Sequence, residues 1–388
     1  MFAIPQQLVS AISKGEVMTI PVNEPLFEGR EKELLCECID TGWISSDGRF
    51  VTLFEEMFSD YIGVKHGIAV CNGTAALELA VACLGLEQGS EVIVPTFTII
   101  SCINAIVRNG LVPVLVDAER NTWNMDVNKV EERISARTKA IMPVHIYGHP
   151  TDMDPLKKLA EKHDLIIIED AAEAHGALYR GKKCGSMGQV SVFSFYANKI
   201  ITTGEGGMVL TDDDGLAERA RSLRNLCFQE KKRFYHSDLG YNFRMTNLQG
   251  AVGIAQMEKI EELIQKKIQQ GRRFRQRLKD VKSIILQEQK EWAAPVYWVN
   301  GILIDETVPK DAEDLARLLM KKGIQSRPFF WPMHEQPIFK KMGLFKNESY
   351  PVSELLSRRG LYLPGGMALT EEQIQKTCDA VIELLISF

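Results

Sequence analysis

Three short stretches combine residue types that could do chemistry on one ligand. Lys199 ends the run Val190-Ser-Val-Phe-Ser-Phe-Tyr-Ala-Asn-Lys199 and precedes the Gly-rich turn Thr202-Thr-Gly-Glu-Gly-Gly207. Most lysines are solvated surface groups. One that follows an apolar strand is desolvated, loses proton affinity and becomes an amine nucleophile. Asp170 closes the run Leu165-Ile-Ile-Ile-Glu-Asp170. A carboxylate there can hold a ring nitrogen protonated, or it can simply cap the next helix. Asn72-Gly73-Thr74 follows a short apolar run and opens a helical pattern. The free N–H groups, the helix dipole and the Thr74 hydroxyl suit a phosphate, and they would equally serve as an ordinary helix cap. Ser194, five residues before Lys199, could add a second hydroxyl. An amine, an acid for a ring nitrogen and a phosphate cradle together fit pyridoxal phosphate (PLP), carried on Lys199 as a Schiff base.

These residues must sit at the ends of strands. Seven short apolar runs punctuate the region from Gly67 to Asp212: Ile68–Cys71, Glu91–Pro95, Val112–Asp117, Ala140–Ile146, Leu165–Asp170, Val190–Phe195 and Gly207–Thr211. Each is rich in Val and Ile, and several are apolar throughout, as in a parallel sheet buried on both faces. Helical stretches such as Thr74–Leu84 and Pro155–His163 alternate with them. That alternation predicts an α/β architecture with ligands at the carboxyl ends of the strands. After Gly250 the pattern changes. Residues Ala251 to Val281 read as one long helix, with Ile254, Met257, Ile260, Ile264 and Ile268 on one side. The expected organisation is an arm over residues 1–26, a large α/β domain over 27–255, and a linker helix with a smaller α+β domain over 256–388.

The remaining composition narrows the class. The 388 residues are 45% hydrophobic and 25% charged, with a formal net charge of -5. That surface gives no reason to expect nucleic acid or an anionic membrane as partner. No apolar run reaches the roughly 18 residues of a membrane span, and the N-terminus does not read as a secretory signal. The eight cysteines are scattered, without CxxC pairs or Cys/His zinc spacing, so a reduced cytoplasm and no metal are expected.

Asn72-Gly-Thr, Glu169-Asp-Ala-Ala-Glu-Ala, Ser194-Phe-Tyr-Ala-Asn-Lys199 and Thr202-Thr-Gly-Glu-Gly-Gly resemble the DegT/DnrJ/EryC1/StrS sugar aminotransferases, from about Pro21 to Cys378. Further stretches resemble the members that aminate C4 of GDP-4-keto-6-deoxy-mannose. They are Thr41-Gly-Trp-Ile-Ser-Ser-Asp-Gly48, Pro143-Val-His-Ile-Tyr-Gly-His-Pro150, Gly240-Tyr-Asn-Phe-Arg-Met-Thr-Asn247 and Arg327-Pro-Phe-Phe-Trp-Pro-Met-His334. The resemblance implies a fold-type-I PLP-dependent transferase with a mostly parallel seven-stranded sheet. It implies transfer of the amino group of L-glutamate to a nucleotide-linked keto sugar, for cell-surface polysaccharide biosynthesis. It also implies a homodimer with shared active sites, or a tetramer.

Carried over by position, Lys199 forms the Schiff base and moves the proton, and Asp170 pairs with the pyridine nitrogen. Glu173 lies near the phenolic oxygen. Gly73, Thr74 and Ser194 hold the phosphate, with Asn242 or Arg244 reaching it from the partner subunit. Trp43, Arg327 and His334 are candidates for the sugar and amino-donor pocket, and each reads equally as packing or solvated surface. Relatives usually carry a ring-stacking aromatic where Ile99 stands, which offers no π-face. Two other readings compete. Dehydratases on this scaffold use His in place of the Schiff-base lysine, and Lys199 disfavours them. A sensory or regulatory protein has no need of Lys199, Asp170 and Thr74 together.

Overall fold

A computed structural model describes residues 19–229 and 231–386. The expected arm therefore lies mostly outside the described residues. Seven strands form the central sheet: β1 (His66–Val70), β2 (Glu91–Pro95), β3 (Val112–Val116), β4 (Thr138–Ile141), β5 (Ile166–Asp170), β6 (Val190–Ser194) and β7 (Gly207–Thr211). Their order is β1-β7-β6-β5-β4-β2-β3. The pairs from β6 through β3 are parallel, while β7 runs antiparallel to both β1 and β6. The expected mostly parallel seven-stranded sheet is what the chain forms. Every residue of β2, β6 and β7 is buried. That explains why these strands are apolar without alternation: helices cover both faces of the sheet.

Six of the strands point the same way, so their carboxyl ends share one edge. Asn72-Gly73 follows β1 there, Asp170 ends β5 and Ser194 ends β6. The helix Gly73–Leu84 starts at this edge, with the Asn72 side chain accepting the Ala75 N–H. The helix Ile100–Arg108 begins beside it, after the turn that follows β2.

A second sheet is antiparallel, in the order Ile284–Ile285, Asn300–Ile304, Gly360–Leu363, Arg327–Pro328. Strand alternation divides its side chains between two cores. Ile302, Ile304, Leu361 and Leu363 pack with Leu315, Leu319 and Val381 in a smaller cluster, whereas Leu303 and Tyr362 face the main core.

The single long helix expected after Gly250 is instead two, Asn247–Met257 and Ile260–Leu278. Lys259 leaves helical geometry at φ -118°, ψ 10°, and its ammonium donates to the Glu28 carbonyl at 2.9 Å. The first helix is pinned against its neighbour Arg49–Ile62. A Cβ on Gly250 would stand 2.8 Å from the Phe50 backbone, and one on Gly253 2.8 Å from the Phe54 ring. The second helix is amphipathic and spans both cores. Neither Gly nor Pro marks the break. Among the described residues no helix is long and apolar enough to cross a membrane.

Candidate active site

A cavity of about 650 Å³ opens at the carboxyl edge of the sheet. Lys199 reaches it from the turn after β6, where its N–H donates to the Tyr196 carbonyl at 2.8 Å. The Lys199 Nζ is buried, 3.7 Å from the centroid of the Trp298 ring and 4.0 Å from Glu173 Oε1. Burial lowers its proton affinity, and the charges of Glu173 and Asp170 oppose that fall. Glu173 is held from the other side, where its Oε2 accepts the Tyr147 N–H at 2.7 Å. Burial raises the Glu173 carboxyl, against the pull of Lys199.

Asp170 lies on the cavity wall at the end of β5. Its Oδ1 accepts the Ala172 N–H at 3.0 Å and its Oδ2 accepts the Cys102 thiol at 3.2 Å. Burial raises this carboxyl too, because an anion without a full complement of donors is costly inside a protein. The preceding residue, Glu169, faces away from the cavity. It pairs with buried His145 at 2.8 Å and accepts the N–H groups of Met187 and Gly188, which fixes the end of the strand.

At the far end of the cavity, Gly73, Thr74 and Ser194 come together. The Thr74 and Ser101 hydroxyls meet at 2.8 Å. A Cβ on Gly73 would stand 2.7 Å from Ser194 Cβ and 2.9 Å from its Oγ. Glycine is therefore required for the helix N-terminus to approach the serine. Two hydroxyls, a helix N-terminus, a buried acid and a buried amine line one cavity. This donor set fits PLP: Gly73, Thr74 and Ser194 could hold a phosphate, Asp170 a ring nitrogen and Lys199 an aldehyde.

The other expected residues are placed differently. Ile99 lines the cavity and is partly exposed. Arg327 lines an adjoining cavity of about 310 Å³, which shares Tyr196, Asn198, Trp298 and Tyr362 with the first. Trp43 is exposed outside both cavities, and its carbonyl accepts the Asn247 side chain at 2.7 Å. His334 is buried, with its ring nitrogens on Thr96 and Glu354 at 3.0 Å each, and lines neither of these cavities. Asn242 and Arg244 also lie outside their own chain's cavity, where Arg244 donates to Asn225 Oδ1 at 2.7 Å.

Several cavity residues were not legible in the sequence. Trp298 and Tyr362 arrive from about a hundred residues or more beyond Lys199, and Cys102 touches Asp170 from a neighbouring helix. Tyr147 carries a positive φ of 57°, and its ring stacks on Phe330. Tyr147 and Phe330 lie in stretches that only the resemblance marks.

The sequence pattern of the DegT/DnrJ/EryC1/StrS aminotransferase family matches residues 26–382. A GDP-perosamine synthase of Caulobacter vibrioides is 42% identical over 373 residues, covering 96% of this chain and 100% of the relative. A GDP-perosamine synthase of Vibrio cholerae is 39% identical over 362 residues, covering 93% of this chain and 98% of the relative. Among solved structures, Helicobacter pylori PseC, an aminotransferase of pseudoaminic acid biosynthesis, superposes with a TM-score of 0.91. It is 26% identical, and the match covers 96% of this chain and 100% of that one.

Proposed function

Because the chain belongs to the DegT/DnrJ/EryC1/StrS aminotransferase family, we propose that it transfers the amino group of L-glutamate to C4 of GDP-4-keto-6-deoxy-mannose. The product would be GDP-perosamine, for cell-surface polysaccharide. The chain is a PLP-dependent aminotransferase. The sugar and nucleotide rest on the relatives named GDP-perosamine synthase, at 42% and 39% identity over nearly their whole length. The observation that carries the reading is the buried Lys199 amine, set between Glu173 and the Trp298 ring in the cavity that Asp170 also lines.

PLP, when bound, supplies an electron-poor ring that stabilises negative charge at the carbon losing its proton. The protein does the rest. Lys199 is the amine whose burial favours the neutral, nucleophilic form. Once released it is also the group placed to take a proton from one carbon and return it to another. Asp170, fixed by Ala172 and Cys102, would hold the ring nitrogen protonated. Glu173 shares charge with Lys199 and stays still, because the Tyr147 N–H holds its other oxygen. Gly73, Thr74 and Ser194 would hold the phosphate and so keep the cofactor's reactive end near Lys199.

The active assembly in this reading is a homodimer, with Asn242 or Arg244 completing the partner's phosphate site. Support comes from their position outside their own cavity and from the exposed apolar side chains Ile39, Trp43, Ile44 and Leu53. The enzyme is placed in the cytoplasm, in keeping with eight free thiols. The division into residues 1–26, 27–255 and 256–388 belongs to the same proposal. It is supported by the small core, whose residues other than Ile20 all lie beyond the break at Lys259. Assaying GDP-, dTDP- and UDP-4-keto-6-deoxy sugars with L-glutamate tests the reading. The GDP sugar should turn over with the highest kcat/KM, and preference for a dTDP or UDP sugar would overturn the nucleotide assignment.

A further inference from the structure

Asp170 must stay charged in a place that favours the neutral acid. It is buried at the end of its strand, and that burial pushes its carboxyl up. Two hydrogen-bond donors work against the push. The Ala172 N–H reaches Oδ1 at 3.0 Å, and the Cys102 thiol reaches Oδ2 at 3.2 Å. The first is a backbone group of the turn after the strand. The second depends on one side chain, carried by the helix Ile100–Arg108.

Cys102 is fully buried and lines no part of the larger cavity, so it touches Asp170 from behind the wall. Burial, with the Asp170 charge beside it, pushes the thiol up, and the sulfur keeps its hydrogen. That single hydrogen goes to Asp170. Toward its other neighbour, the buried Thr98 hydroxyl at 3.3 Å, the sulfur can then only accept. The result is a one-way chain from the Thr98 O–H through the Cys102 S–H to Asp170, in which each donor polarises the next.

A carboxylate and a pyridine nitrogen that face each other share one proton. On nitrogen it makes an ion pair, and on oxygen it leaves two neutral groups. A buried site favours the neutral pair, and each donor to the carboxylate favours the ion pair. Only the ion pair leaves the ring electron-poor.

We propose that Cys102, backed by Thr98, is a positioning residue for the reaction: its S–H holds Asp170 as the carboxylate and so keeps the proton on the ring nitrogen of bound PLP. This rests on the aminotransferase reading above and adds the groups that set the charge of its key acid.

The test loads wild type, Cys102→Ala, Cys102→Ser and Thr98→Val with PLP carrying nitrogen-15 in the ring. The NMR shift of that nitrogen is then read near neutral pH. Protonated and neutral pyridine nitrogens resonate far apart, so the shift locates the proton without any turnover. In Cys102→Ala it should move toward the neutral value, with the ratio of ion pair to neutral pair falling roughly tenfold. That is the low end for a hydrogen bond to a charged group, because S–H is a weak donor. Cys102→Ser keeps a donor and should lie nearer wild type. Thr98→Val keeps the side-chain shape, loses the hydroxyl and should move a shorter way in the same direction. The PLP dissociation constant, from titration of apoenzyme, should stay within a few-fold of wild type in all three. An unmoved nitrogen shift in Cys102→Ala overturns the proposal. So does an equal shift in Cys102→Ala and Cys102→Ser, which would trace the effect to packing instead of a hydrogen bond. No sugar enters the experiment, so a wrong sugar assignment leaves its result standing.

Discussion

Lys199 Nζ and Glu173 Oε1 face each other at 4.0 Å, too far for a hydrogen bond and close enough for a strong coulombic coupling in a buried site. Burial works against the charge on both groups, while each favours the charge on the other. Only one of the two is tied down. The Tyr147 N–H fixes Glu173, whereas among the described residues no hydrogen bond fixes the Lys199 amine, which rests on the Trp298 ring. The lysine is thus free to move between the roles of cofactor ligand and proton carrier.

Asp170→Asn should separate binding from chemistry. The amide keeps the size of the side chain but removes the charge that holds a ring nitrogen protonated. Turnover should fall by on the order of a hundredfold or more, as for other losses of preorganised charge in an active site, with a much smaller change in cofactor affinity. Rates within a few-fold of wild type would mean that another acid serves the nitrogen.

Gly73→Ala should weaken the cofactor site itself. The added methyl would stand 2.7 Å from Ser194 Cβ, so the helix N-terminus or the serine must shift. Overpacking of this kind costs about 1–3 kcal/mol, roughly a tenfold or greater rise in the PLP dissociation constant if the strain falls on the holo form. Titrating apoenzyme with PLP measures this directly, and an unchanged constant would remove Gly73 and Ser194 from the phosphate cradle.

The sheet was legible because its strands are buried on both faces. Each of the seven apolar runs contains a strand, though only Ala140 and Ile141 of the run Ala140–Ile146 lie in β4, and Lys199, Asp170, Gly73, Thr74 and Ser194 sit at the carboxyl ends in one cavity. What the sequence hid is long-range. Trp298 and Tyr362 reach the site only through the folding back of the second sheet, and no local pattern marks them. The helix break at Lys259 carries no Gly or Pro signal, and the helix before it is pinned by Gly250 and Gly253 against Phe50 and Phe54. His334 is a substrate-pocket candidate through the resemblance, and the fold engages both its ring nitrogens with Thr96 and Glu354.

Acid should destabilise the apoenzyme partly through His175. Its ring is buried among Phe58, Phe193 and Phe195, and burial lowers its pKa from the ordinary 6.5 to about 3. The depressed value means that the native state favours the neutral ring. Its stabilising contribution is complete above 6.5 and is lost as the pH falls toward 3. Between pH 7 and pH 5 this one group should remove on the order of 2 kcal/mol. Urea unfolding of His175→Phe should show that much less loss over the same interval, and an unchanged pH dependence would contradict the assignment.

Shared active sites can be read by complementation. Lys199→Ala homodimers should be inactive, and Asn242→Ala or Arg244→Ala homodimers should bind PLP weakly. In mixed dimers of the two kinds one site has both parts intact, so activity should return to at most about half of wild type by symmetric counting. Mixing and subunit exchange that restore nothing above the parents' residual rates would place the loop's action within its own chain.

The central claim is that Lys199 carries the cofactor, and one chemical measurement addresses it without any assay of turnover. Borohydride reduction of the holoenzyme converts a lysine Schiff base into a stable secondary amine, which survives digestion and can be located by mass spectrometry. The label should appear on the peptide that contains Lys199 and be absent from that peptide in Lys199→Ala. A stoichiometric label on any other lysine, with the Lys199 peptide unmodified, would contradict the account.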